Sequence, residues 1–326
     1  MMNQAVKQAY TILDGKQPDK KIFTELSSLD GGDILDLISL SGKVKNKFAP
    51  EFHACTIMNA KSGACSEDCR FCAQSTHHDT QIARYGLVDR NTILDKAREA
   101  YATGIDNFGI VTSGTGYIKM TAEFKQIIDA IDMIHELFPG KNVCADLGHL
   151  SEETAYELSK HDISHYNINL QTNPEKYQDL VSKTHSVNDR IQTILLLKKH
   201  GVKVCAGGII GLGESMKDRL EMAFALRDLD VDIIPLNVLI PIPGTPLETQ
   251  EPVSAAEVAK TFALFRLINP SKIIKFAAGR ETRMKDFQAL IMLAGANGFI
   301  TGGYLTTMGR NVNDDLNFAA ELKQFQ

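Results

Sequence analysis

The sequence has no excess of positive charge. Its 35 Lys and Arg stand against 40 Asp and Glu, a net charge of −5 at pH 7, with an isoelectric point near 6.0. A nucleic-acid or anionic-membrane partner calls for a basic face, so neither is expected. No apolar run approaches the roughly 18 residues of a membrane span. The first residues, Met1-Met2-Asn3-Gln4-Ala5-Val6-Lys7-Gln8, lack the apolar core of a signal peptide. A cytoplasmic protein is therefore expected, in which six cysteines serve as metal ligands or buried thiols rather than disulfides. There is no linker, low-complexity tract or shift of composition to divide the 326 residues. A chain of this length, 44% hydrophobic and 23% charged, can bury a large core.

What is present is organised around Gly63-Ala64-Cys65-Ser66-Glu67-Asp68-Cys69-Arg70-Phe71-Cys72-Ala73-Gln74. Cys65, Cys69 and Cys72 form a C-x3-C-x2-C array. Thiolates this close converge on one inorganic centre. A structural zinc prefers four closed ligands, whereas a 4Fe–4S cluster held by three cysteines leaves one iron open to chelate a small molecule. Phe71 is placed to shield such a cluster from water.

Along the chain, residues 1–47 read as a helical N-terminal extension broken at Gly15, Gly31 and Gly32, and residues 48–326 as the main body. Strands are expected over 51–60, 107–112, 142–147, 165–170, 202–210, 232–240, 272–277 and 298–301. Helices fall between nearly all of them, with Thr121 and the Ser151-Glu152-Glu153-Thr154 run as N-terminal caps and Gly201 as a stop. A C-terminal helix spans roughly 314–324. Eight alternating units imply a parallel sheet closed as a (β/α)8 TIM barrel. The cysteine loop follows the first strand, at the end of the barrel where such folds place their chemistry.

Cys55, Cys144 and Cys205 each fall within a predicted strand. Strand alternation allows all three to face inward; they are either small buried core residues or the ligands of a second cluster, and the division of six cysteines into two threes favours the cluster. Asn167, Asn169 and Gln171 share one face of the fourth strand, and Asn237 sits among apolar neighbours in the sixth. Such amides contact a ligand or satisfy buried backbone groups. Lys275, in an apolar strand, lies at a wet strand end or faces an anionic group. The run Gly207-Gly208-Ile209-Ile210-Gly211 has no Gly-Lys-Ser/Thr, so it is no phosphate loop; its glycines would let a flat adenine approach the backbone.

With these motifs the chain resembles the radical S-adenosylmethionine enzymes and, within them, the biotin synthase family. The resemblance extends from about residue 50 to 310. Beside the cysteine loop it rests on Tyr166-Asn167-Ile168-Asn169-Leu170, Val204-Cys205-Ala206-Gly207-Gly208, Asn237, Gly244-Thr245-Pro246-Leu247 and Ala278-Gly279-Arg280-Glu281. It implies a 4Fe–4S cluster on Cys65, Cys69 and Cys72 and S-adenosylmethionine held by Asn169, Gln171, Arg190, Gly207, Gly208 and Gly211. It also implies dethiobiotin held by Asn167 and Asn237, an electron donor such as flavodoxin or ferredoxin, and a homodimer. The auxiliary cluster of that family is a 2Fe–2S centre on three cysteines and an arginine. Two of those cysteines match Cys144 and Cys205; the third position holds Gly109 and the arginine position Lys275. Cys55 restores three thiols from another strand, so a four-iron cluster on Cys55, Cys144 and Cys205 is expected, with 2Fe–2S as the alternative. Rival readings are a barrel enzyme like the hydrogenase-cofactor maturases or methylornithine synthase, or a non-catalytic iron–sulfur protein.

Overall fold

The computed structural model describes residues 2–325. Eight strands form its centre: β1 (His53–Lys61), β2 (Asn107–Thr112), β3 (Asn142–Asp146), β4 (His165–Asn167), β5 in two pieces (Val204–Cys205 and Gly208–Ile210), β6 (Ile233–Val238), β7 (Ile273–Phe276) and β8 (Gly298–Ile300). Each pairs in parallel with its neighbours, and β8 pairs with both β7 and β1, so the sheet closes into a barrel. Parallel strands require crossovers, and the helices Arg90–Ala102, Ala122–Leu137, Glu152–Leu158, Val187–Lys199, Met216–Asp228 and Ala255–Ile268 provide them. A short polar side chain caps the start of each: Asp89, Thr121, Ser151, Ser186, Ser215 and Ser254 accept from backbone N–H groups that have no partner within the helix. The expected cap residues Thr121 and Ser151 are among them, and Gly201 ends its helix at φ 76°.

Two expected strands differ in detail. The fifth breaks at Ala206-Gly207 because Pro235 lies opposite and has no N–H to give the ladder. The chain crosses so close there that a Cβ on Gly207 would lie 1.9 Å from the Pro235 carbonyl oxygen. The fourth strand ends at Asn167, and its continuation turns at Gln171, which adopts φ 69°. Simple alternation therefore carries Asn167 and Asn169 but not Gln171.

The ends of the barrel chain are joined by a polar staple. Arg266 is fully buried and donates to the carbonyls of Gly295, Pro270 and Lys272 and to Asn297 Oδ1. Asn297 Oδ1 also accepts from Ile274 N, and Nδ2 donates to the carbonyls of Ala49 and Glu51, at 3.2 and 3.1 Å. The entry to β1 is thus fastened to the start of β8. Helices Gln4–Ala9, Lys20–Ser27 and Asp33–Phe48 precede the barrel. The last lies against the Ala255–Ile268 helix, and its Ser41 Oγ donates to the Ala294 carbonyl across 2.9 Å. No described helix is long and apolar enough to cross a membrane.

Candidate active site

The inward faces of the strands enclose a cavity of about 380 Å³ that runs from the barrel centre to the loops beyond the strand C-termini. All six cysteines line it. Cys65, Cys69 and Cys72 lie at the mouth, on the loop after β1. Cys55 on β1, Cys144 on β3 and Cys205 on β5 lie deeper, where alternation turns them inward.

The upper loop is held by its backbone and by two acids. Gly63 and Ala64 take φ 71° and 53°, and Gly63 N donates to Gln74 Oε1. Cys65 N donates to the Gln74 carbonyl and Thr76 N to that of Cys65. Asp68 accepts from Ser182 Oγ, from Lys183 N and from both N and Oγ1 of Thr184. Burial opposes its ionisation, but these donors outweigh it and hold the carboxyl at about 2. Glu67 accepts from the hydroxyls of Thr115 and Thr184 and stands 2.8 Å from His185 Nδ1. Arg190 Nη2 lies 3.1 Å from His185 Nε2, and Cys69 Sγ 3.9 Å from the same nitrogen. The cysteine loop is thus clasped to residues 182–190. The sequence reading named Arg190 but missed Glu67, Asp68 and His185, although two acids between ligating cysteines are a signal in themselves.

Burial pushes Cys69 up to about 12 and Cys72 to about 11, so without a metal they are neutral thiols. A polynuclear cluster that binds thiolates supplies the missing positive charge. Among the described residues no three His, Cys, Asp or Glu side chains close round a point as a single ion requires, and a cluster spreads its ligands over several metal atoms. Beside the loop, Gln171 Oε1 is buried with no hydrogen-bond partner, an acceptor left for a ligand.

The lower group is stranger. Lys275 is 3% exposed and pairs with no carboxylate among the described residues; its Nζ lies 3.4 Å from Cys55 Sγ. Burial drives its pKa down, but thiolates at Cys55, Cys205 and Cys144 drive it up more strongly, so the net shift is upward. Burial meanwhile pushes Cys144 up to about 12 and raises Cys205. A buried ammonium facing the neutral thiols of Cys144 and Cys205 lacks a full countercharge. A centre that makes the sulfurs thiolates resolves both problems, so this donor set fits a thiolate-bound cluster better than it fits plain core packing. Lys275 does not lie at a wet strand end: it is buried and faces cysteine sulfurs. Gly109 contributes no ligand: a Cβ there would lie 3.1 Å from Cys144 Sγ and 3.0 Å from Ile57 Cγ2. His165, inward on β4 beside Cys144, completes the floor.

Asn167, Asn169, Gln171, Arg190 and Asn237 all line the cavity. Several are already engaged. Asn237 Nδ2 donates to the Gly208 carbonyl and Oδ1 accepts from Ala278 N. Asn169 Oδ1 accepts from Gly207 N, and Arg190 donates to Tyr177 OH and the Asn169 carbonyl. Asn167 Nδ2 donates to Asp146 Oδ2 at 2.5 Å. Gly207, Gly208 and Gly211 are not among the residues that line the cavity. Their smallness serves the protein's own packing: a Cβ on Gly208 would lie 2.4 Å from Met222 Sδ and 2.6 Å from the Gln171 carbonyl oxygen, and one on Gly211 would lie 3.3 Å from Val253 Cγ2. Ile209, between them, does line the cavity. Near the mouth, residues 304–307 form a wall far from the cysteine loop in sequence. Tyr304 OH donates to the Ala277 carbonyl and to Glu281.

A parallel eight-stranded barrel with three cysteines at its mouth defines the class: residues 60–226 match the radical SAM superfamily, and residues 235–323 match the biotin and thiamin synthesis associated domain. The relatives narrow it further. The chain is 54% identical over 324 residues to a biotin synthase of Chlorobaculum tepidum, covering 98% of this chain and 97% of that one. It is 55% identical over 325 residues to one of Chlorobaculum parvum, again covering 98% and 97%. This chain belongs to the biotin synthase family. Among solved structures, methylornithine synthase superposes with a TM-score of 0.80 at 16% identity, covering 97% of this chain and 95% of that one. The FeFe-hydrogenase maturase of Carboxydothermus hydrogenoformans gives 0.81 at 15%, covering 98% and 78%. These two share the fold; the close sequence relatives separate this chain from them.

Proposed function

We propose that this enzyme inserts sulfur into dethiobiotin to form biotin. The observation that carries the reading is near-full-length identity above 50% to biotin synthases, joined to a cavity lined by two cysteine triads at different depths. A 4Fe–4S cluster on Cys65, Cys69 and Cys72 with bound S-adenosylmethionine supplies hydrogen abstraction from unactivated carbon, and an auxiliary iron–sulfur cluster supplies sulfur. The chain's own residues position and enclose. Glu67 and Asp68 fix the upper loop. Gln171 offers its unpartnered Oε1 to the cofactor, and Asn169 and Arg190 line the same wall. Asn237 and Asn167 face the substrate side. The apolar walls, among them Ile57, Val111 and Ile300, keep water away from the reacting carbon.

In this reading the auxiliary cluster is a four-iron centre on Cys55, Cys144 and Cys205, with an extra sulfide as exogenous ligand and Lys275 as its countercharge. Residues 1–47 are an extension packed on the barrel of 48–326. A flavodoxin or ferredoxin as electron donor, a homodimer and a cytoplasmic setting rest on family membership. Two measurements test the proposal. Dethiobiotin should stimulate S-adenosylmethionine cleavage and yield biotin; cleavage that ignores dethiobiotin refutes the function. Anaerobically loaded protein should carry about eight irons per chain rather than about six, and Cys55→Ala should bring the count down to about four. An auxiliary centre that survives Cys55→Ala refutes the ligand set.

A further inference from the structure

Asp146 has no part in the reading so far. It sits on β3 two residues beyond Cys144, one inward step towards the mouth, about 6–7 Å along the strand. That places it between the two cysteine triads, on the cavity wall. It forms no ion pair among the described residues, and its one side-chain partner is Asn167, whose Nδ2 donates to Oδ2. Burial raises its pKa, against the Asn167 bond, the nearby Arg190 charge and a backbone N–H bond from Gly148; with about four acceptor positions on a carboxyl, acceptor capacity is left for a ligand in the cavity. Asn237 Oδ1 and Asn169 Oδ1 are engaged by Ala278 N and Gly207 N, whereas Thr112 Oγ1 and Gln171 Oε1 on the same cavity are unpartnered but carry no charge. Around it the wall is apolar, with Val111 paired across from it on β2 and Ile57 on β1.

A cyclic urea bearing an alkyl chain needs such a place. Its two N–H groups seek acceptors, and its hydrocarbon seeks an apolar wall. Resting on the function proposed above, we infer that Asp146 is the ureido-recognition residue of this enzyme: the carboxyl oxygen that Asn167 leaves accepts an N–H of the substrate ring. Asn167 is then a positioning residue, fixing the carboxylate through Oδ2. The ring would be set between the triads, its alkyl carbons against the apolar wall.

The test measures equilibrium binding of dethiobiotin and of its two mono-N-methylated ureido derivatives to the loaded enzyme, wild type and Asp146→Asn. The wild type should bind at least one methylated derivative tenfold or more weakly than dethiobiotin. Asp146→Asn, the same size but with a donor in place of an acceptor, should lose tenfold or more in dethiobiotin affinity and most of that discrimination, with S-adenosylmethionine affinity unchanged. Wild-type enzyme that binds both methylated derivatives as tightly as the parent overturns the inference without any variant. So does an Asp146→Asn protein that keeps wild-type affinity or discrimination. Failure of the underlying function shows separately, as wild-type S-adenosylmethionine cleavage that is indifferent to dethiobiotin.

Discussion

Replacing Lys275 with methionine should change the metal-free and the loaded protein in opposite directions. In the metal-free protein Lys275 is almost fully buried, has no carboxylate partner among the described residues, and faces the Cys144 and Cys205 thiols, which burial keeps protonated. Methionine has similar length and no charge to desolvate. Exchanging a buried charged group for an apolar one of matching volume is neutral or stabilising by about 1–4 kcal/mol. With unfolding entropy near 2 cal/mol/K per residue, that corresponds to a rise in melting temperature of about 1–6 °C for a chain of this length. The loaded protein should lose by the same change, because the ammonium offsets the negative charge of a thiolate-bound centre. Calorimetry of chelator-stripped protein gives the first number; iron and acid-labile sulfide after anaerobic reconstitution give the second. Metal-free Lys275→Met that melts clearly below wild type would refute the reasoning, since it would mean that Lys275 already has its countercharge. Full iron content and full biotin formation in the variant would refute it from the other side.

Two further outcomes follow from the geometry. Gly208→Ala pushes a methyl group into Met222 Sδ and the Gln171 carbonyl; it should destabilise by about 1–3 kcal/mol and weaken S-adenosylmethionine binding through Gln171, whereas Gly86→Ala, with nothing within 4 Å, should stay within about 0.5 kcal/mol of wild type. Asp68 titrates at about 2 in the fold against an ordinary 3.8. A depressed carboxyl contributes stability above its ordinary pKa and loses it as pH falls through the folded value, so the melting difference between wild type and Asp68→Asn should be present above pH 4 and shrink between about pH 4 and 2; a constant difference across that window contradicts the clasp.

The barrel was legible because strands buried on both faces read as short apolar runs, and because turn and cap residues separate them from helices with another period. The break in the fifth strand was less so. Pro235 was in plain view, but its effect depends on which residue lies opposite, and register is not written in one strand. Both cysteine triads were readable, one from spacing and one from alternation. The glycines of the fifth strand are ambiguous for a physical reason. Small residues report that something comes close, and Pro235, Met222 and the Gln171 backbone do so here. The amides posed the same ambiguity; Asn237 and Asn169 both hold backbone groups while lining the cavity. Alternation alone puts Asp146 on the same strand face as Cys144, yet that it forms no ion pair among the described residues emerges only when distant elements are assembled around it. Glu67 and Asp68 sat inside the motif itself, but their partners, residues 182–185, lie over a hundred positions away.

The polar staple at Asn297 has a consequence for heredity as well as for folding. The two stretches recognised by family models, 60–226 and 235–323, are not separable parts. The second contributes the last two strands of the ring and four of the six residues of a third, and Asn297 within it grips Ala49 and Glu51, which precede the first stretch altogether. Cutting between the two would leave an incomplete sheet with two raw edges, open to pairing with any other chain. It would also part Lys275 from all three deep cysteines. Neither stretch can be lost, borrowed or exchanged without its counterpart, so selection acts on the closed ring and its staple as one indivisible trait.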